Sequence, residues 1–157
     1  MKVLVIGQGG REHAIVHSLS LSPSVSEIHC IPGNDGISQN ALCHKIDWKD
    51  SEAIIQFCLR TDISYVIIGP EDPLCNGLSD VLRERGILTV GPSAQGARLE
   101  GSKIFAKNFM KSAGIQTADF FTVQSVEETL NAAQNFPTPY VLKADGLAAG
   151  KGVFICQ

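Results

Sequence analysis

Apolar residues along this chain follow two rhythms. Short, unbroken runs, Val3-Leu4-Val5-Ile6, Glu27-Ile28-His29-Cys30-Ile31, Tyr65-Val66-Ile67-Ile68 and Ile87-Leu88-Thr89-Val90, each stop at a glycine or a Pro-Gly pair. Runs of this kind, rich in β-branched residues, predict strands covered on both faces, as in a parallel sheet. Between them the apolar positions take helical spacing: Arg11 to Leu21 before Pro23, Ile54, Ile55, Cys58 and Leu59 after the cap-like Asp50-Ser51, and Leu74, Leu78, Val81 and Leu82 before Gly86. Strand and helix in alternation predict βαβ units with right-handed crossovers. The expected fold class is therefore α/β, a doubly wound parallel sheet reaching to about residue 98.

The pattern then restarts. A helix is predicted from Ser102 to about Ser112, with Ser102 as its N-cap and Gly114 as its stop. Phe120-Phe121-Thr122-Val123 resembles a strand, Val126 to Asn135 a helix behind the cap-like Ser125, and Tyr140-Val141-Leu142-Lys143 another strand. A glycine-rich loop follows, and Val153-Phe154-Ile155-Cys156 opens a strand close to Gln157. The expected division is residues 1–101 and 102–157, the second domain being incomplete. The chain has no internal repeat and no low-complexity tract.

Composition narrows the class. Of 157 residues, 44% are hydrophobic and 18% charged, against about 25% charged in an ordinary soluble protein. That supplies one proper core and excludes disordered, collagen-like and disulfide-scaffold chains. No stretch approaches the roughly 20 apolar residues that span a bilayer, and the run after Met1-Lys2 is too short for a signal-peptide core. A cytoplasmic protein is expected. The five cysteines are odd in number with no metal-like spacing, which argues for reduced thiols rather than a zinc cluster or disulfide framework. A net charge of -3 predicts no general attraction for nucleic acid or anionic membrane. Charge is uneven, with eight basic and twelve acidic residues in 1–101 against five and four in 102–157. Any anion site has to be local.

Gly7-Gln8-Gly9-Gly10-Arg11-Glu12-His13 joins a predicted strand to a predicted helix, where backbone N–H groups and the positive end of the helix dipole converge. That geometry suits a phosphate, and Arg11 adds a charge-assisted contact; a tight turn without a ligand is the alternative. The dinucleotide fingerprint G-x-G-x-x-G fails, because residue 12 is glutamate and no acid ends the second run. His13 and His17 lie four apart but lack a further ligand nearby, so they read as ordinary polar or packing residues. Gly69-Pro70-Glu71-Asp72-Pro73-Leu74 should open at the same sheet edge, with Glu71 as the acceptor for sugar hydroxyls or an amine. Asp72 fits a helix N-cap followed by Pro73 at the first helical position.

Lys103, Lys107 and Lys111 share one helix face. A solvated face accounts for Lys107 and Lys111, whereas Lys103 opposes the helix dipole by about 0.3–1 kcal/mol and so favours an anionic partner. Lys143-Ala144-Asp145-Gly146-Leu147-Ala148-Ala149-Gly150-Lys151-Gly152 is the most informative stretch. A loop of small residues with glycine at 146, 150 and 152 and lysine at 143 and 151 can fold over a polyphosphate; a plain hairpin is the alternative. It departs from the P-loop pattern in spacing and in having Gly152 where a magnesium-binding hydroxyl belongs.

The stretches KVLVIGQGGREHA, PGN, GPEDPL, GPSAQGARLEGSK and VLKADGLAAGKGV, in that order, resemble the opening of the phosphoribosylamine–glycine ligase family of the ATP-grasp superfamily. The resemblance implies a Rossmann-like domain followed by the start of an α+β ATP-grasp domain. It implies an enzyme using ATP and Mg2+, with Mn2+ as a substitute, to turn glycine into glycyl phosphate, which 5-phosphoribosylamine then attacks. The products would be glycinamide ribonucleotide, ADP and phosphate, in purine synthesis. By resemblance, Gly9, Gly10 and Arg11 lie by the 5-phosphate, Asn34 and Glu71 near the ribose, and Lys103 and Lys143 at the ATP phosphates or adenine edge. Gly146, Gly150, Lys151 and Gly152 belong to a flap over the triphosphate.

Family members continue past this length, so the magnesium ligands and much of the glycine site are expected beyond Gln157, and the 157 residues alone are expected not to complete catalysis. No catalytic residue and no metal ligand is assigned within them. Competing readings are a nucleotide- or sugar-phosphate-binding module without catalysis, an NAD(P) oxidoreductase suggested by the opening strand, turn and helix, and another ATP-grasp enzyme of the same pathway. GQGGREHA together with KADGLAAGKGV disfavours the last.

Overall fold

The computed structural model describes residues 1–148 and 150–157, which fall into two compact units, Met1–Ala97 and Arg98–Gln157. The first holds β1 (Lys2–Gly7), α1 (Gly10–Ser20), β2 (Glu27–Pro32), a single 3-10 turn (Ile37–Gln39), β3 (Leu42–Cys43), α2 (Ser51–Thr61), β4 (Tyr65–Ile68), α3 (Glu71–Cys75), α4 (Leu78–Glu84) and β5 (Thr89–Val90). α5 (Ala94–Gly101) carries the division.

The five strands form one sheet in the order β3-β2-β1-β4-β5, every pair parallel, with Val5 opposite Cys30 on one side and Ile67 on the other. Because side chains alternate along a strand, Leu4, Ile6 and Ile31 pack on one face with Ile54, Ile55 and Leu82. Val5, Ile28 and Cys30 pack on the other with Val16 and Ile37. Both faces are covered, as the unbroken apolar runs predict. The chain moves outward from β1 to β3, then returns to β4 beside β1. The crevice between the loops after β1 and β4 is therefore the point where strand order reverses, the usual ligand position in such sheets.

Three details differ from the sequence reading. The run 87–90 supplies only the two-residue β5; the predicted helix over 74–82 breaks into α3 and α4 at Gly77, whose φ of 83° is left-handed; and the short edge strand β3 had no counterpart. α2 is capped as expected, Asp50 accepting from the Ala53 amide at 2.9 Å.

The second unit contains α6 (Lys103–Ser112), α7 (Val126–Ala133) and the antiparallel pair β6 (Tyr140–Lys143) and β7 (Val153–Cys156). Ser102 caps α6 by accepting from Phe105 N–H at 3.1 Å, and Ser125 caps α7 by accepting from Glu128 N–H at 3.1 Å. Residues 120–123 are not a strand. A strand needs a partner to satisfy its backbone, and among the described residues β6 and β7 pair only with each other. The aromatics of this segment are used differently: Phe120 lies under the Lys107 ammonium, and Phe121 meets Phe136 edge-on at 5.6 Å. Among the described residues no helix is long and apolar enough to cross a membrane.

Candidate functional site

β1 delivers the chain to the sheet's carboxyl edge at Gly7, and three residues later α1 begins. Gly9 is its N-cap, with extended backbone. Glu12, in the first turn, reaches back so that Oε2 accepts from Gly9 N–H at 2.6 Å, one half of a capping box. Glycine has no side chain to supply the other half. Only 4% of Glu12 is exposed. Its carboxyl occupies the crevice between the loops after β1 and β4: a Cβ on Gly7 would stand 2.5 Å from Glu12 Cγ, and one on Gly69 would collide with Glu12 Oε1. Glycine at both positions makes room for this side chain. What the dinucleotide fingerprint registers as a mismatch at position 12 is a residue with its own berth.

Arg11 turns the other way. It is exposed, donates from Nη1 to the Gly69 carbonyl at 2.7 Å, and lies 4.0 Å from Glu71 Oε2. α3 starts at Glu71 with Pro70 as its cap, so Asp72 sits inside the first turn and does not fill the N-cap position that the sequence suggested. Asn34 donates from Nδ2 to the Gln8 carbonyl at 2.7 Å and accepts at Oδ1 from Ile37 N–H at 2.9 Å. Gly9, Gly10, Arg11, Asn34 and Glu71 thus come from three loops onto one edge of the sheet, cross-linked by Arg11, Asn34 and Glu12. Gly9 spends its amide inward on Glu12, whereas the side-chain position of Gly10 faces open space. An anion arriving here meets the α1 N-terminus and the Arg11 guanidinium. His13 packs against the Gly36 turn and His17 is exposed. Among the described residues no group of three or more His, Cys, Asp or Glu side chains is placed to hold a metal ion.

In the second unit the glycine-rich loop joins β6 to β7 and is tied to the start of α6. Asp145 accepts from Ile104 N–H at 3.1 Å and from the Ser102 hydroxyl at 3.0 Å, while Lys103 Nζ donates to the Gly146 carbonyl at 2.8 Å. Burial pulls the Asp145 carboxyl up. Hydrogen bonds from the Ile104 amide, the Ser102 hydroxyl and the Gly146 and Lys103 amides outweigh it and hold the group below the ordinary aspartate value. Asp145 escaped the sequence reading because nothing local distinguishes it from a solvated loop acid; its partners lie on another element. Lys107 is not a solvated lysine, since Nζ donates to Thr117 Oγ1 and the Ala118 carbonyl, both at 2.7 Å. Lys111, Lys143, Gly150 and Lys151 are exposed and Gly152 is buried against Ala144 and Ala148. The expected flap runs across Ala149, which lies outside the described residues. Lys103, Lys107, Asp119, Lys143 and Asp145 are the charged lining of a cleft of about 530 Å³ whose remaining wall includes Phe120, Phe121 and Phe136.

Residues 1–100 match the family model for phosphoribosylglycinamide synthetase, N domain, and residues 101–157 match the model for its ATP-grasp (A) domain. The chain belongs to the phosphoribosylglycinamide synthetase family. Within that family it is similar to the phosphoribosylamine–glycine ligase of Streptomyces coelicolor, 50% identical over 155 residues that make up 99% of this chain and 37% of the relative. The ligase of Clostridium acetobutylicum is 42% identical over 157 residues, 100% of this chain and 38% of the relative. The chain therefore spans little more than a third of the length of these synthetases. The crystal structure of phosphoribosylamine–glycine ligase from Thermotoga maritima superposes over 99% of this chain and 36% of its own, with a TM-score of 0.76 and 38% identity. The biotin carboxylase domain of Hydrogenobacter thermophilus 2-oxoglutarate carboxylase, solved with magnesium ADP, covers 99% of this chain and 37% of its own with a TM-score of 0.75 at 23% identity, a likeness of fold alone.

Proposed function

We propose that this chain serves, in the cytoplasm, the ATP-dependent ligation of glycine to 5-phosphoribosylamine, through glycyl phosphate, to give glycinamide ribonucleotide, ADP and phosphate. The observation that carries the reading is the cross-linked cluster at the sheet's carboxyl edge in a chain of this family: an open helix N-terminus at Gly10 beside Arg11, with Asn34 and Glu71 from the neighbouring loops. The 5-phosphate is assigned to the Gly9–Arg11 turn and the ribose to Asn34 and Glu71. Arg11 bridges Gly69 and Glu71, and a phosphate dianion is a stronger partner than either.

ATP is assigned to the second unit, with Lys103, Lys143 and Lys151 neutralising phosphate charge and the Gly146–Gly152 loop covering the triphosphate. Mg2+, or Mn2+ in its place, accompanies the nucleotide; among the described residues no group of three or more His, Cys, Asp or Glu side chains is placed to hold it. A loop closing over the phosphates suits this chemistry, because an acyl phosphate hydrolyses in water unless the site excludes it. Phosphoryl transfer to the glycine carboxylate is then governed by positioning and charge neutralisation.

Isothermal titration of the chain with ribose 5-phosphate, a stable stand-in for the amine, tests the first assignment. Saturable binding is expected, and Arg11→Ala should weaken it roughly 10- to 100-fold, the worth of one hydrogen bond to a charged group, with the melting temperature unchanged. Equal affinity in the variant removes Arg11 from the site. Absence of saturable binding by the unaltered chain rejects the reading.

A further inference from the structure

Among the described residues Glu12 is the one carboxylate that is buried. Burying a carboxylate is costly unless its hydrogen bonds repay it, and this one takes the Gly9 amide at 2.6 Å. Two glycines whose missing side chains leave it space adjoin it, Gly7 at the end of β1 and Gly69 on the loop after β4, and the Cys30 thiol of β2 is near enough to feel its charge. Arg11, the preceding residue, grips the same loop from outside through the Gly69 carbonyl at 2.7 Å. Two consecutive side chains of opposite charge therefore meet Gly69, Arg11 at its carbonyl and Glu12 where a side chain would stand.

We infer that Glu12 is a positioning residue of the phosphate-binding turn: by taking the Gly9 amide and wedging between Gly7 and Gly69, it fixes the spacing of the two loops and leaves the Gly10 side of the α1 N-terminus as the face open to a phosphate monoester. This deepens the assignment of the 5-phosphate to the Gly9–Arg11 turn and rests on it. Shape and charge then act in opposite directions. The shape of Glu12 supports the turn, while its negative charge lies close to the expected dianion and opposes binding. Glutamine keeps the length and an acceptor oxygen for Gly9 without the charge; alanine removes both.

The test uses the 157-residue chain with Glu12→Gln and Glu12→Ala, reading ribose 5-phosphate affinity by titration and the Gly9 amide by NMR shift and hydrogen exchange. In Glu12→Gln the affinity is expected to hold or tighten, and the Gly9 amide to stay protected while moving upfield as its bond loses charge assistance. In Glu12→Ala the affinity is expected to fall about tenfold and Gly9 exchange to accelerate by about the same factor, the scale of one lost hydrogen bond. A folded Glu12→Ala chain that binds within about twofold of the parent overturns the proposal. Should Glu12→Ala fail to fold, Glu12→Gln decides: a tenfold loss there would mean that the charge itself is needed and overturns the positioning role. If the unaltered chain does not bind ribose 5-phosphate, the functional reading fails by itself, and the positioning role still stands or falls on whether Gly9 exchange accelerates in Glu12→Ala.

Discussion

His29, only 3% exposed on β2, holds its Nδ1 2.9 Å from Nε2 of His44, with the two rings stacked and Phe57 of α2 against both. One ring donates and the other accepts, which suits two neutral imidazoles. Glu27 Oε1 lies 2.9 Å from His29 Nε2. Burial pushes both histidines below their ordinary value; Lys2 adds to this at His29 against the opposing pull of Glu27, and His29 adds to it at His44. The unfolded chain takes up protons below about pH 6.5 where the folded one resists them, so stability holds level above that pH and falls beneath it. Urea midpoints should decline as pH falls below about 6.5, and less steeply in His44→Leu; a flat profile in the parent chain contradicts the arrangement. Thiols at the same scale divide by burial, which raises Cys30 to about 12 and Cys58 to about 11, whereas Cys43 is exposed. Iodoacetamide under native conditions should label Cys43 ahead of Cys30 and Cys58, as read by peptide mapping; equal rates would refute the burial. The placement of Arg11 and Glu71 at the strand ends was legible because polar residues directly after an apolar run fall there, whereas Asn34 was singled out by the family resemblance alone. Glu12 was not legible, since its value depends on a gap at Gly69, which only the folded sheet brings beside it.

α6 begins with a conflict that other elements resolve. A lysine in the first turn opposes the helix dipole, yet Ser102 caps the Phe105 amide and Asp145, from the loop after β6, takes the Ile104 amide. Two of the helix's orphan donors are thereby satisfied and a negative charge stands where the dipole wants one. Ser102→Ala should cost the helix about 1 kcal/mol, measurable as roughly fivefold faster exchange of the Ile104 and Phe105 amides. Asp145→Ala should free Ile104 while leaving the Phe105 cap in place; unaltered exchange at Ile104 would remove Asp145 from this role. Strands on the parallel sheet could be read from sequence because burial on both faces demands continuous apolar residues, a signal that survives without knowledge of partners. The segment 120–123 carries the same signal and forms no strand, because pairing is a property of two segments and its aromatics are held by Lys107 and Phe136 instead. β3 has the opposite history: Leu42 and Cys43, exposed and too short an apolar run to stand out, pair with β2 because the preceding turn brings them alongside.

Across the whole chain, the described side chains that make up the buried core belong to Met1–Ala97, where both faces of the sheet are covered. In Arg98–Gln157 the only buried residue among those described is Gly152, while Phe121, Val126, Leu130, Phe154 and Ile155 are exposed. Since removal of apolar surface from water is the main favourable term in folding, cooperative stability should reside in the first unit, and the second should open locally at much lower free energy. Native-state hydrogen exchange should find the slowest amides in β1, β2 and β4, with β6, β7 and α7 exchanging many times faster. Thermolysin, which cuts beside large apolar residues, should remove much of 98–157 before touching the sheet and leave a resistant piece close to Met1–Ala97. Protection of β6 and β7 equal to that of β1, or first cleavage within the sheet, would show that the two units share one cooperative core.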